Sequence, residues 1–71
     1  MKKAELETLK PEKDYVIFAG HPYRVAGLHG LFIEIYDEEP HNLHTDRVKH
    51  ENCRYVSRLT ALNMIKAEKN I

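Results

Sequence analysis

Three stretches rich in β-branched and aromatic residues crowd into residues 14–40: D-Y-V-I-F-A-G, H-P-Y-R-V-A-G and L-H-G-L-F-I-E-I-Y-D-E-E-P. Each is short and bounded by charges, glycine or proline, the pattern of strands that end in turns. The third is the most explicit. Leu31, Ile33 and Ile35 alternate with Phe32, Glu34 and Tyr36. In a strand, successive side chains point to opposite faces, so the first set is expected in the core and the second on the outer face. Gly27 and Gly30 suit a bulge or a turn. Pro22 suits a turn or a first strand residue, where no ladder donor is lost.

The flanking segments are different. A-E-L-E-T-L-K places Leu6 and Leu9 three apart among good helix formers, and Pro11 stops the pattern. One or two turns are expected there, docked by the leucines. Residues 37–51 hold turn formers and almost nothing apolar besides Leu43 and Val48. They read mainly as a polar loop, with a short strand or turn near Val48. C-R-Y-V-S reads as a returning strand, with Cys53 and Tyr55 on one face and Arg54 and Val56 on the other. Ser57 is a good N-cap for a last helix. Leu59, Leu62 and Ile65 would form its apolar edge, and Lys66 and Lys69 suit its C-terminal dipole.

Seventy-one residues make one small domain, which hides only roughly 60% of the surface of its unfolded chain. The expected class is α+β: a small antiparallel sheet curled into an SH3-like partial barrel, with a short N-terminal helical turn and a C-terminal helix. In this reading residues 1–10 form the helical turn, 14–57 the β-rich core with polar loop 37–51, and 58–69 the helix.

Eleven cations balance eleven anions, so no global field draws the chain to nucleic acid or to an anionic membrane. The charge is unevenly spread. Residues 21–40 set Arg24 against Glu34, Asp37, Glu38 and Glu39. Residues 41–71 set Arg47, Lys49, Arg54, Arg58, Lys66 and Lys69 against Asp46, Glu51 and Glu68. Two such patches permit a homodimer, although ordinary surface charge explains them as well. One cysteine forms no internal disulfide. Met-Lys-Lys is followed by Ala4, Glu5, Leu6 and Glu7, without the apolar run of a secretory leader. No apolar run approaches a membrane span. The expected compartment is reducing and cytoplasmic.

H-N-L-H-T-D-R-V-K-H-E-N-C, residues 41–53, gathers His41, His44, His50 and Cys53. Imidazole and thiolate are zinc ligands, and a structural ion would staple a fold this small. The spacing matches none of the standard zinc patterns. The plainer reading makes Cys53 a small buried hydrophobe and the histidines solvated. A His50–Cys53 nucleophile pair would also need an orienting group and an oxyanion hole, and no motif supplies either.

The expected function is therefore non-enzymatic: a binding module that docks on another macromolecule, most readily a protein. Arg24, Phe32 and Tyr36 on the outer sheet face, with Arg54 and Tyr55, are the residue types that dominate protein interfaces. A zinc-stabilised mini-domain is one alternative. A single-stranded nucleic-acid binder using Arg47, Lys49, Arg54 and Arg58 around Tyr55 is another. A small accessory factor, as of a phage or other mobile element, fits the chain's size, though no residue argues for it.

Overall fold

The computed structural model describes residues 1–36 and 44–69. Helix α1 (Lys3–Thr8) is followed by strands β1 (Tyr15–Phe18), β2 (His21–His29), β3 (Phe32–Tyr36) and β4 (Thr45–Lys49). A 3-10 turn (His50–Asn52) then leads to β5 (Cys53–Val56) and helix α2 (Arg58–Lys69). The strands form one antiparallel sheet in the order β4-β3-β2-β1-β5. The α+β class is as expected. The sheet is not closed, since β4 and β5 share no ladder among the described residues. No helix among those residues is long and apolar enough to cross a membrane.

Two turns set the registers. Between β1 and β2, Ala19 and Gly20 both have positive φ, at 53° and 81°, as a two-residue type I′ hairpin turn requires. Between β2 and β3, Gly30 takes φ 62° as the first residue of the two-residue link Gly30–Leu31. Leu31 sits in that turn and is 57% exposed. Its expected place in the core is therefore corrected: the alternation begins at Phe32.

β2 serves two sets of partners. Its residues 21–24 pair with β1, and its pairing with β3 runs from Val25 to His29, with an irregularity between Val25 and Gly27. Among the described residues Pro22 lies in the half that pairs with β1 alone, so its missing donor leaves no gap in a second ladder there. A straight β2 would hold its ends about 26 Å apart. Lys49 lies across β3 from the His29 end, and Cys53 lies across β1 from the His21 end. Four peptide steps join Lys49 to Cys53 and reach at most about 15 Å. β2 must therefore bend, and the bulge is where it does so.

The concave face carries the core. Val16, Val25, Ile33, Ile35 and Cys53 are buried beneath Leu6 and Leu9 of the N-terminal segment, with Phe18, Tyr23, Leu28 and Val48 around them. Lys2 N–H donates to Glu5 Oε1 at 3.0 Å, closing the first turn of α1. On the opposite face α2 packs against β1 and β2. Its N-terminus is capped by Ser57, whose Oγ accepts the Thr60 N–H at 3.2 Å.

Two expectations change here. The stretch 37–51 reads mainly as loop with a short strand or turn near Val48; the strand there is the five-residue β4, Thr45–Lys49, and the 3-10 turn begins at His50. β4 is an edge strand, and Val48 alone supplies its apolar contact to the core, so the sequence T-D-R-V-K lacks the usual apolar alternation. The buried edge of α2 is Ala61 with half-buried Met64 and Ile65, whereas Leu59 and Leu62 are exposed. A three-residue repeat drifts around a helix that turns every 3.6 residues. The edge that meets the sheet starts at Ala61 instead.

The first turn gives a direct test. Ala19 has the left-handed backbone that Asn tolerates far better, so Ala19→Asn should stabilise the chain by about 0.5–1 kcal/mol. Gly20→Ala should destabilise it by about 1–2 kcal/mol, although nothing lies within 4 Å of the added methyl. Urea unfolding of both variants reads the two signs. Equal effects would refute this turn geometry.

Candidate functional site

The convex face is divided in two. Over β1 and the first half of β2, α2 leaves a groove of about 320 Å³ whose lining includes Tyr15, Pro22, Arg24, Tyr36, Ile65 and Lys69. The alternation that buries Val16 and Phe18 on the concave side turns Tyr15 toward this groove. The Arg24 guanidinium lies over the Tyr36 ring, 4.6 Å from its centroid, within the range of a cation–π contact.

Tyr36 is fixed from a second side. Its hydroxyl donates to Glu12 Oε1, and this bond, together with partial desolvation, raises the phenol above its ordinary value. Glu12 itself has φ 71°, a left-handed conformation that is costly for a non-glycine residue. Its N–H donates to Val25 O at 2.7 Å, beside the β2 bulge, while Val25 N–H donates to Asp14 O at 2.9 Å. The chain thus holds a strained Glu12 where its carboxylate orients the ring that supports Arg24. At the far rim of the groove, His21 Nδ1 and Glu68 Oε1 are 3.1 Å apart and tie α2 to β2.

Over β3 and β4 the convex face carries Phe32, Glu34 and Tyr36 opposite Lys49, Arg47 and Thr45 respectively. Phe32 is 41% exposed. Glu34 accepts from Thr45 Oγ1 at 2.7 Å and pairs with His29 Nε2 at 2.5 Å. These bonds, the Thr45 bond first, hold its carboxyl below the usual range, and the nearby Arg47 adds to the effect. Gly27 leaves room for the pair, since a methyl there would lie 3.3 Å from His29 Nε2.

The residues expected to bind a partner therefore fall on separate surfaces. Arg24, Tyr36 and Phe32 share the convex face. Arg54 is on the convex side of β5, whereas Tyr55 alternates to the concave side at the sheet edge. Both border a shallow depression with Met1, Lys2, Glu5 and Glu51. Glu12, Ile65 and the His21–Glu68 pair were not expected at the site. Tyr15 was legible from alternation alone, but the contributions of Glu12 and α2 depend on tertiary contacts.

The metal-ligand set does not converge. His41 lies outside the described residues. His44 precedes β4 and His50 follows it, so the strand separates them by about 20 Å and one ion cannot be held by both. His50 Nδ1 lies 3.1 Å from Met1 O. Cys53 is 1% exposed, its Sγ lies 3.6 Å from Lys49 O, and burial pushes its thiol up. Among the described residues no group of three His, Cys, Asp or Glu side chains is placed to hold a metal ion.

Compared with known proteins, the chain matches no family model, no curated protein and no solved structure.

Glu34 makes an acid-side prediction. Its folded carboxyl ionises below its ordinary value of 4.5, so its contribution to stability is present above that value and lost as pH falls through the lower folded one. Glu34→Gln should be less stable than the parent at pH 7, and the gap should shrink by pH 3. Urea midpoints at the two pH values test this, and a gap that widens in acid would contradict it.

Proposed function

We propose that the chain is a non-enzymatic protein-binding module that takes a partner's side chain into the groove between α2 and the convex sheet face. The Arg24–Tyr36 platform carries this reading. Its ring and guanidinium are the chemistry of interface hot spots, and they are positioned in advance by the bond of Tyr36 to Glu12 and by their own stacking. Preorganisation matters because ordering a loose arginine on binding costs rotamer freedom. Phe32, farther along the same face, would extend the contact. The buried, poorly ionised thiol of Cys53 makes it a weak nucleophile, in keeping with a binding role.

The curl is proposed to be an SH3-like partial barrel, on the strength of the bend in β2 and the short link from β4 to β5. Single-stranded nucleic acid is the second reading, because Phe32 shares its face with Arg47 and Lys49 and bases stack on such rings.

Arg24→Gln and Phe32→Ala, each confirmed folded by its melting curve, should weaken retention of a captured protein partner by about tenfold or more. Anisotropy of a labelled single-stranded oligonucleotide at rising salt provides the contrast. Tight, steeply salt-dependent binding of the oligonucleotide, with no protein retained, would replace the first reading with the second.

A further inference from the structure

α2 has a face that the core does not use and that meets the groove only at Lys69. With Ala61 against the sheet, a turn of about 100° per residue places Met64, Ile65 and Glu68 beside it. Arg58, Leu59, Leu62, Lys66 and Lys69 then fall together in one sector of about 100°. Thr60, Asn63 and Ala67 fill the remaining sector and carry no charge. Leu59 is 71% exposed and Leu62 45%. The helix's one acid, Glu68, is turned to the sheet and engaged by His21. The cationic flank therefore contains no acid of its own helix.

Helix stability does not require this arrangement. Lysines near a C-terminus suit the dipole, but that gives no reason for two exposed leucines beside them. The rotation of α2 is set by Ala61, fully buried against the sheet, with Arg58 near Asp14 at 3.7 Å and the His21–Glu68 pair at 3.1 Å on its two ends, so the flank is presented as one stripe about 15 Å long.

We propose that this stripe docks an acidic amphipathic helix of another protein. Such a helix would set apolar residues at i, i+3 and i+4 spacing against Leu59 and Leu62, and Asp or Glu against Lys66 and Lys69. Charge decides against a second copy of this chain. A two-fold contact through the stripe would set Lys66 and Lys69 against the leucines and cations of the second copy's stripe, with no acid to meet them. Apolar area decides against a bilayer, because Ala61, Met64 and Ile65 are committed to the sheet and two leucines leave too narrow an apolar face. The stripe shares only Lys69 with the groove, and Leu59, Leu62 and Lys66 lie outside it, so the two surfaces can be tested separately.

The test is an amide NMR titration of the full chain with a synthetic amphipathic peptide of about five helical turns, with leucine on one face and glutamate elsewhere. A control peptide carries lysine in place of glutamate. The expected result is that the amides of Leu59, Leu62 and Lys66 shift while those of Tyr15 and Tyr36 do not. Leu59→Gln with Leu62→Gln, and separately Lys66→Glu, should weaken binding by about tenfold or more. Both leucines are exposed, and a melting curve shows whether each variant keeps its fold.

The proposal is overturned if the acidic peptide causes no shifts, if the lysine peptide binds equally, or if the shifts centre on the groove. It is also overturned if the leucine pair is needed instead for retention on phosphatidylglycerol vesicles, or for a dimer seen in sedimentation.

Discussion

The bend in β2 is the constraint from which the rest of this fold follows. One nine-residue strand must serve β1 along its first half and β3 along its second. The short 3-10 link then brings β5 back to the far side of β1. Without a bulge between Val25 and Gly27 the link could not span the sheet. With it, the concave face wraps around a core small enough for Leu6 and Leu9 to cover. The stability of so short a chain then rests on a few wholly buried side chains, Val16, Val25, Ile33 and Cys53.

The same bend shapes the convex face. The region of the bulge receives residues 12–14, and the hydrogen bonds that satisfy Val25 also hold Glu12 in its left-handed conformation. The strain is local and well supported, and it orients the Tyr36 ring beneath Arg24. α2 then covers only the β1 side of the face, which leaves a groove at the boundary between its covered and open parts. Covering the whole face would have required a longer helix or a second one.

The strands between residues 15 and 36 were legible because alternation and glycine turns mark them strongly. Leu31 reads as core in the sequence because it is as apolar as its neighbours, and the positive φ of Gly30 shows that the turn includes it. β4 shows in the sequence only as a short strand or turn near Val48, for the opposite reason. An edge strand with one buried residue needs little hydrophobicity, and T-D-R-V-K resembles a loop. The helix at the end was expected, but its orientation was not. Leu59, Leu62 and Ile65 form as good an apolar series on paper as Ala61, Met64 and Ile65, and the choice between them is made by where β5 delivers the chain. Of the candidate site, parity along β3 puts Phe32 and Tyr36 on one face, and the contact of Arg24 with the Tyr36 ring places it there too. Arg54 and Tyr55 were grouped with them by chemistry, and the register of β5 separates them.

The central claim is that the bent sheet and the N-terminal segment hold Arg24 and Tyr36 as a fixed platform at the groove. The measurement that tests it most directly is the proton NMR spectrum of the free chain, with through-space cross-peaks assigned for these two residues. The account predicts strong cross-peaks from the Arg24 side chain to the Tyr36 ring, upfield ring-current shifts of the arginine protons, and a Tyr36 hydroxyl proton slowed in exchange by its bond to Glu12. Arginine protons at random-coil positions, with a Tyr36 hydroxyl that exchanges freely with water, would contradict it.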